Sequence, residues 1–408
     1  MEASRNRMLR LLHTADVHLG ARHADLGDAA AAQRERQFAA FRATVDLAIA
    51  EKVDIFLIAG DLFDSNTQPK RSVERVAAEL KRLVAAKIRT VIIPGTHDCY
   101  DRSSIYRAYD LRAMSDVGQD DDLVTVLTPE RSFVHLIACD AIVHATVFPS
   151  KRAPHSPLRD LRAATSAGDT TATWHIGMVH GSLAIPDRTD RDEVVVTKEE
   201  IAATGLDYLA LGHWHSPNQG KAGATAYAYS GAPEPVAVNQ DGAGKVLLVE
   251  LDEAAGQRTV KVTERAVGKT RFERLELDAA ALGDQPELVT KLRAKADPDL
   301  VLEVRLAGVR PDELDVHVEE VEDQLKGLFL RLRVKDLSMP ALSTGTLPSP
   351  DTITGAFIRD VEAKIAELEA RVTQLESDPA DASAIEAAEL RDVLRLGRLL
   401  LAGHEVTL

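Results

Sequence analysis

Cysteine is scarce in this sequence: Cys99 and Cys139 are the only two among 408 residues. Two cysteines give no disulfide framework, so we expect a reducing, cytoplasmic setting. Long apolar runs are missing as well, since no stretch reaches the roughly eighteen apolar residues that a membrane-spanning helix needs. The N-terminal segment also lacks the apolar region of a signal peptide, and we expect no membrane association.

Positive charge is also in short supply. The chain has 49 Lys and Arg residues against 64 Asp and Glu residues, which gives a formal net charge of −15. Proteins that bind nucleic acids normally present basic side chains to the phosphates, so this balance counts modestly against a nucleic-acid enzyme. Acidic residues are concentrated towards the C-terminal part, at Glu313–Asp323 and Glu362–Asp378, which leaves basic groups available in the first half.

What the sequence does contain is a series of apolar runs that end in Asp or His. Ile55–Ala59 shows no alternation of apolar and polar residues, which predicts a parallel strand buried on both faces. Gly60 lets the chain turn, and Asp61 follows at the carboxyl end of the strand, where open α/β sheets bind ligands. Apolar residues at helical spacing between such strands predict crossover helices, and hence an α/β fold.

Four further stretches repeat this construction. The first supplies Asp16 and His18, which a two-residue spacing on extended backbone would aim to the same side. The others supply, in chain order, Thr96, His97 and Asp98, then His180, then His213 and His215. Imidazole nitrogens and carboxylate oxygens together suit Mn²⁺, Fe or Zn²⁺ and argue against a thiolate site. A single His at a strand end is more often structural, but the ordered series favours a metal centre.

These stretches resemble the motifs of the calcineurin-like metallophosphoesterases and, within that family, those of nuclease subunits of the SbcD and YhaO type. The resemblance is carried by LLHTADVHLG, KVDIFLIAGDLFD, PGTHD, GMVHGS, LGHWHSP and YSGAPE, all within residues 11–234. It implies an α/β metallophosphoesterase sandwich with a small α/β capping domain and a C-terminal helical segment. It also implies DNA repair chemistry that depends on two divalent cations, most commonly Mn²⁺: exonucleolytic cleavage at duplex ends and endonucleolytic cleavage of single strands.

The resemblance further implies a role for each residue of the series. Six positions correspond to metal ligands. Asp16, His18 and His215 correspond to the ligands of one metal, and His180 and His213 to those of the other. Asp61 corresponds to the carboxylate that bridges both. His97 corresponds to the histidine that protonates the leaving oxygen, with Asp98 beside it to orient it. Thr96 stands where the family has an Asn whose carbonyl binds the second metal, so we expect a weaker ligand there.

The chain is expected to have four segments: a nuclease domain at residues 1–267, a small α/β capping module at 268–337, a linker at 338–350 and a helical hairpin at 351–408. The module carries no ligand cluster and is either a lid over the substrate or a packing domain; the resemblance favours the lid. The hairpin has an apolar stripe at Ile353–Leu375. It either folds on its own chain or binds a partner. The partners that the resemblance implies are DNA, an SMC-like ATPase and a second copy of the chain.

Two other functions stay open. A small-molecule or cyclic-nucleotide phosphodiesterase could use the same ligand set, but it would need neither a capping module nor C-terminal helices. A catalytically weak scaffold subunit could also retain this pattern, and Thr96 is the residue that supports it. The residues that bind DNA cannot be assigned from the sequence.

Overall fold

The structure, a computed structural model, describes residues 8–118, 121–168, 170–189, 192–237, 240, 242–254, 256–311, 314–340, 349, 351–374 and 382–401. The chain divides into two compact units. One comprises Met1–Phe272 with Asp299–Val301, and the other comprises Glu273–Pro298 with Leu302–Leu408. No helix within the described ranges is long and apolar enough to cross a membrane.

The first unit contains most of the strands. In chain order they are β1 (Leu9–Thr14), β2 (Ile55–Ala59), β3 (Arg89–Ile93), β4 (Val124–Val126), β5 (Phe133–Leu136), β6 (Ala141–His144), β7 (Trp174–His180), β8 (Ser182–Leu183), β9 (Val195–Val196), β10 (Tyr208–Gly212), β11 (Asn218–Ala222), β12 (Thr225–Tyr229), β13 (Lys245–Ala254) and β14 (Gln257–Ala266). The helices of this unit are α1 (Ala30–Ala50), α2 (Lys70–Ala85), α3 (Ile105–Ala108), α4 (Leu111–Met114) and α5 (Lys198–Thr204).

Two six-stranded sheets organise this unit, with strand orders β14-β13-β1-β2-β3-β4 and β11-β12-β10-β7-β6-β5. Strands β1 to β4 run parallel in the first sheet, and β12, β10, β7 and β6 run parallel in the second. Alternate residues of β2, Ile55 and Leu57, share an apolar core with Met178 of β7 and Tyr208 of β10. This core therefore lies between the sheets, and the expected α/β sandwich is confirmed.

The outer faces of the two sheets are covered by helices. Phe56 and Ile58, the residues of β2 that point away from the second sheet, pack in one cluster with Phe41 of α1 and Leu80 of α2. Each such buried side chain stabilises the fold by about 1.5–3 kcal/mol. On the second sheet, α5 buries Ile201 in a separate cluster. The unbroken apolar runs of central strands such as β2 and β10 are thus explained, because these strands are covered on both faces.

Apolar and polar residues alternate over 225–265, which predicts antiparallel strands, and the strand pairing of the structure differs from this in part. Strand β12 runs parallel to β10, whereas β11–β12 and β13–β14 are antiparallel pairs. Strand β11 was not predicted, because Asn218–Ala222 is mostly polar and exposed and has no apolar periodicity. The chain reverses once between β10 and β11 and again between β11 and β12, so β12 runs parallel to β10.

The second unit combines a small sheet with four helices among its described residues. The strands are β15 (Arg271–Asp278), β16 (Asp297–Ala307), β17 (Val309–Arg310), β18 (Phe329–Asp336) and β19 (Met339–Pro340), and the helices are α6 (Gln285–Arg293), α7 (Val318–Gln324), α8 (Ile353–Gln374) and α9 (Ala382–Leu401). Strands β15, β16 and β18 form a three-stranded sheet. Most of the predicted linker, residues 375–381 and residues 402–408 lie outside the described part of the chain.

Apolar spacing predicts a helix over Pro311–Leu325, but this prediction is wrong in extent, since among the described residues of the range only Val318–Gln324 is helical. Residues 312 and 313 of the predicted range lie outside the described residues. The main-chain N–H of His317 donates to the side-chain oxygen of Gln285 at 2.7 Å, and His317 itself has extended backbone. That bond holds the approach to α7 away from helical geometry, which apolar spacing alone could not reveal.

Helices α8 and α9 pack against each other. A Cβ atom at Gly397 of α9 would lie 2.3 Å from the ring of Phe357 on α8, so the two helices approach closely there. Ile365 and Leu368 are buried, whereas Ile353 at the start of α8 and Leu400 near the end of α9 are 84% and 55% exposed. Part of the apolar stripe is therefore covered within the unit, and part remains exposed.

Candidate metal centre

The strands that precede the predicted ligands end at a common edge of the sandwich. Strands β1, β2 and β3 are parallel neighbours in one sheet, and β7 and β10 are parallel neighbours in the other. The carboxyl ends of parallel strands lie at the same edge of a sheet. The two edges meet, because His180 Nε2 lies 3.1 Å from Asp61 Oδ2. The structure thus brings the predicted residues of both sheets into one region.

Left-handed backbone, and not extended strand, aims the first two of these side chains. Asp16 has φ 53° and His18 has φ 48°, so the expectation of two side chains on extended backbone is wrong. The left-handed conformation costs a non-glycine residue about 1–2 kcal/mol. Main-chain bonds hold it here: Asp16 N–H donates to the carbonyl of Gly60 at 3.1 Å, and His18 N–H to that of Asp61 at 3.0 Å. Asp61 has φ 51° itself, and backbone strain of this kind clusters at functional sites.

Asp61 is shared by two groups of converging side chains. Its Oδ2 atom lies 3.1 Å from His180 Nε2 and 3.8 Å from His18 Nε2, and its Oδ1 atom accepts the main-chain N–H of His97 at 2.7 Å. One group joins Asp61 to Asp16 and His180, and the other joins it to His18 and His97. Burial raises the pKa of this carboxyl, but the neighbouring imidazoles, His180 foremost, hold the pKa well below its usual range. Asp61 is therefore ionised and can attract a cation from both sides.

The two ring nitrogens of His180 face different oxygens. Nδ1 lies 2.9 Å from the carbonyl oxygen of Ala59, so it is the donor. The buried Nε2 atom lies 3.1 Å from Asp61 Oδ2 but makes no hydrogen bond of normal geometry with the described residues. Burial lowers the pKa of His180, but Asp61 and Asp16 outweigh it and raise the pKa to about 10. A proton on Nε2 would then occupy the position at which a metal cation could bind. An imidazole oriented by a carbonyl on its second nitrogen is the usual arrangement of a ligating histidine, so the residues fit a metal.

A second set of ligand atoms converges between β1 and the loop after β10. His18 Nε2 lies 3.1 Å from His215 Nε2, and His215 Nε2 lies 4.0 Å from Asp16 Oδ1. One ligand atom from each of these three residues lies within 4.8 Å of the others. Burial, with a contribution from His18, lowers the pKa of His215 to about 3. His215 is therefore a neutral imidazole, the form that binds metals.

His213 stands beside the cluster without belonging to the convergent groups found among the described residues. Its ring lies 5.4 Å from that of His180 in an edge-on arrangement. Its main-chain N–H donates to both carboxylate oxygens of Asp16 at 3.0 Å, which links the loops after β1 and β10. Burial lowers the pKa of His213 to about 4, so this imidazole is also neutral.

The residues that follow β3 point in different directions. Thr96 is buried, and its hydroxyl donates to Asp61 Oδ2 at 3.5 Å. His97 is half-exposed, and its Nδ1 atom lies 3.1 Å from the carbonyl oxygen of Asp64. Its ring centroid is 4.7 Å from that of His18. Because Nδ1 faces a carbonyl, it carries the proton in the neutral ring, and Nε2 is the atom left for other contacts.

Asp98 has structural contacts in place of the orienting contact expected from the sequence. Its carboxylate accepts the hydroxyl of Tyr106 at 2.6 Å and the main-chain N–H groups of Gly95 at 2.7 Å and Phe63 at 3.1 Å. These bonds tie the loop after β2 to the loop after β3. The residue that contacts the His97 ring is Asp64, and Asp98 joins the two loops that carry Asp64 and His97.

Two residues that contact the cluster were not singled out from the sequence. Asp64 holds His97 by its carbonyl, and its Oδ1 atom lies 3.3 Å from His18 Nδ1. The side-chain amide of Gln240 contacts His215 Nδ1, and its oxygen accepts the N–H of Val236 at 2.8 Å. Asp64 could have been recognised from the sequence, because it is the last residue of the motif that contains Asp61. Nothing in the sequence indicated Gln240, because this residue lies 25 residues from His215 and outside the helices and strands.

Comparison with known proteins agrees with this geometry. The model of the family described as calcineurin-like phosphoesterase matches residues 9–217, just over half of the chain. The chain is 29% identical over 265 residues to the DNA double-strand break repair protein Mre11 of Aeropyrum pernix, covering 63% of this chain and 62% of that protein. It is 25% identical over 343 residues to the uncharacterized metallophosphoesterase YhaO of Bacillus subtilis, covering 78% of each.

A third relative is the SbcD subunit of the nuclease SbcCD of Rhodobacter capsulatus, which is 25% identical over 389 residues, covering 85% of this chain and 91% of that protein. The aligned part thus spans less than two thirds of the A. pernix protein but most of the R. capsulatus protein. The family match covers all five strand ends that carry the cluster. The chain belongs to the calcineurin-like phosphoesterase family.

Proposed function

We propose that this chain is a metal-dependent DNA phosphodiesterase with a dinuclear centre. One observation carries the proposal: Asp61, ionised and buried, lies between His180 and His18, and each imidazole presents Nε2 to the same carboxylate oxygen. A carboxylate placed between two sets of imidazole and carboxylate ligands would suit a pair of divalent cations. DNA is proposed as the substrate because relatives are named as DNA double-strand break repair proteins and as part of a nuclease.

The ligands divide between two positions. Asp16, His18 and His215 would hold one cation, and His180 and His213 the other, with Asp61 between them. Bound there, divalent cations such as Mn²⁺ would acidify a water molecule for attack on phosphorus and neutralise the phosphate oxygens. The neutral state of His213 and His215 and the orientation of His180 by the Ala59 carbonyl prepare these side chains for that task.

His97 is placed to serve the leaving group. Its ring adjoins that of His18 but is half-exposed, so a substrate can reach it. The main-chain carbonyl of Asp64 accepts a hydrogen bond from Nδ1–H, which leaves Nε2 to carry the proton that the departing DNA oxygen takes up. A protonated imidazole in this position acts as the general acid.

Hydrolysis of defined substrates tests the proposal. Purified protein is incubated with a blunt duplex, a single-stranded circle and a cyclic nucleotide, each with Mn²⁺ and with EDTA. The proposal expects Mn²⁺-dependent shortening of the duplex and cutting of the circle. Turnover of the cyclic nucleotide alone would identify a small-molecule phosphodiesterase. No turnover of any substrate by protein loaded with metal would leave a scaffold function.

Thr96→Asn is expected to tighten binding of the second cation by on the order of tenfold. The Thr96 hydroxyl is a weaker donor to a divalent cation than an amide carbonyl and is turned towards Asp61 Oδ2. Activity at limiting Mn²⁺ should rise in parallel, whereas activity at saturating Mn²⁺ should change little. Calorimetric Mn²⁺ titration measures the effect, with Thr96→Ser as the matched control that keeps the hydroxyl. Two equally tight sites in the unmodified protein, with no gain from Asn, would contradict the expectation.

The exposed apolar residues of α8 and α9 are proposed to bind a partner, an SMC-like ATPase. The name of the R. capsulatus relative describes one component of a nuclease, which supports an assembly of more than one chain. Ile353, Val393 and Leu400 are exposed apolar side chains on these two helices. Exposed apolar surface of this kind often marks a protein interface.

Deletion of the residues after 350 is expected to leave hydrolysis of a small phosphodiester within about twofold, because the metal cluster lies wholly in the first unit. Binding of the ATPase should be lost. Gel filtration with and without the ATPase measures the loss, and Ile353→Asn in the full chain is the control that keeps both helices. Failure of the shortened chain to fold, or normal ATPase binding by it, would count against the docking role.

A further inference from the structure

A cavity of about 570 Å³ opens beside the cluster, next to the loop after β10. His213 and His215, two of the proposed metal ligands, lie in its wall, so a group bound there is adjacent to the reacting phosphate. The other wall residues include Arg188, Trp214 and Asn218. The cavity therefore combines a cation, an aromatic ring and an amide next to the proposed metal centre. The roles proposed above for the metal ligands and for His97 do not involve these three side chains.

Trp214 presents aromatic surface to this cavity. Its indole N–H donates to Ser182 Oγ at 3.2 Å, so the one polar atom of the side chain is already occupied. One face of the indole stacks on Tyr229, with ring centroids 4.4 Å apart and an angle of 16° between the planes. Ser182 is in turn bonded to Asp192. Trp214 is thus held in a fixed orientation with its N–H group satisfied, and it contributes an aromatic side chain to the cavity wall.

We propose that Trp214 is the stacking platform for the nucleobase next to the scissile phosphate, and therefore a specificity-determining residue. The proposal rests on the proposed phosphodiesterase function and deepens it. A base is the group that fits, because aromatic side chains bind single-stranded nucleic acids by stacking on base faces while cations follow the phosphates. Arg188 supplies such a cation at the cavity wall, and the amide of Asn218 can pair with a base edge. The substrate class is a strand whose terminal or unpaired base can leave the duplex stack.

Two substitutions of similar bulk test the aromatic surface. Trp214→Phe keeps a ring and Trp214→Leu does not, and both lose the bond to Ser182 equally. Binding of a labelled thymidylate hexamer and of an abasic deoxyribose-phosphate hexamer is measured by fluorescence anisotropy in EDTA, where no hydrolysis occurs. Trp214→Leu is expected to bind the thymidylate hexamer about tenfold more weakly than Trp214→Phe. The two variants should bind the abasic hexamer equally. Equal binding of the thymidylate hexamer by both variants would overturn the proposal.

The chain offers an internal spectroscopic control, since Trp174 is its only other tryptophan. Trp174 is 4% exposed and lies at the start of β7, under the guanidinium of Arg258. Thymidylate should lower the emission of the unmodified protein and of Trp174→Phe by the same absolute intensity, which is a larger fraction of the total in Trp174→Phe because Trp214 is then the only emitter. Quenching that disappears in Trp174→Phe would show that the base does not contact Trp214.

The two proposals fail in different ways. If the unmodified protein neither binds nor cuts any DNA, the phosphodiesterase proposal fails and the base platform fails with it. If the unmodified protein cuts DNA with Mn²⁺ and the Leu and Phe variants of Trp214 do not differ, only the base platform is wrong. Metal content measured on both variants verifies that His213 and His215, which flank Trp214, remain in place.

Discussion

Asp61→Ala is expected to abolish phosphodiester hydrolysis and to lower the metal content of the protein. The substitution removes the carboxylate whose Oδ2 atom lies 3.1 Å from His180 Nε2 and 3.8 Å from His18 Nε2. Without that charge, two clusters of imidazoles lose the group that joins them, and a second cation would have to bind beside the first without a shared anion. The loss should exceed the resolution of a hydrolysis assay, about four orders of magnitude, because positioning and charge neutralisation fail together.

The same substitution should leave the fold compact. An alanine at this position would leave the main-chain N–H of His97 without its acceptor, at a cost of about 1–3 kcal/mol. The left-handed backbone adds a smaller penalty, because Asp tolerates that conformation better than Ala. Asp116→Ala is the matched control, since Asp116 has φ 59° at an exposed position. It also removes a surface ion pair with Lys81, which contributes at most about 1 kcal/mol, and otherwise separates the backbone cost from the loss of the site.

Three measurements decide the outcome. Elemental analysis gives the metal content, circular dichroism the fold, and hydrolysis of a duplex the activity. Asp61→Asn is a second variant, because its side-chain oxygen can still accept the N–H of His97 while the charge is gone. Full metal content in either variant would contradict the dinuclear centre.

The buried strands could be predicted because their structure is determined by residues that are neighbours in the sequence. Ile55–Ala59 is apolar at every position, and each of its five residues is buried, three against the second sheet and two against helices. Residue type alone likewise predicts a capping box at Thr197 and Glu200 and a helix end at Gly205, and α5 has both. In each case neighbouring residues in the chain determine the structure.

The elements that were missed depend on contacts distant in sequence. Strand β11 is an edge strand with exposed polar residues, so only its pairing with β12 makes it a strand. The start of α7 is set by a bond from His317 to Gln285, 32 residues earlier. No periodicity in either segment encodes these partners.

The site shows the same division. Which residues would converge could be predicted, because strand ends and residue types sufficed to place His180 and Asp61 together. How the backbone presents them could not, since the left-handed conformations of Asp16 and His18 depend on bonds to Gly60 and Asp61. The contact of Asp64 with His97 was missed for a related reason. It is made by a main-chain carbonyl, which every residue possesses, so residue type carried no signal.

His97→Ala is expected to lower hydrolysis of DNA by about a hundredfold or more while the protein keeps its metal. The main-chain N–H of His97 donates to Asp61 Oδ1 at 2.7 Å, and Ala preserves that bond. Only the imidazole is lost, and it is half-exposed, so little packing is removed. His155→Ala is the matched control, because His155 lies outside the cluster and contacts the Ser156 carbonyl. Elemental analysis on both variants separates a general acid from a metal ligand.

The nature of the leaving group provides the sharper test of His97. A DNA strand departs as an alkoxide, which needs a proton, whereas p-nitrophenolate departs readily without one. If His97 is the general acid, His97→Ala should lower cleavage of DNA by the full hundredfold and cleavage of a p-nitrophenyl diester by only a few-fold. Equal losses on both substrates would mean that His97 positions the phosphate or holds a cation. Loss of metal from His97→Ala would indicate that His97 holds a cation, in line with the convergence of His97, His18 and Asp61. A large loss confined to DNA, at unchanged metal content, assigns the proton to His97.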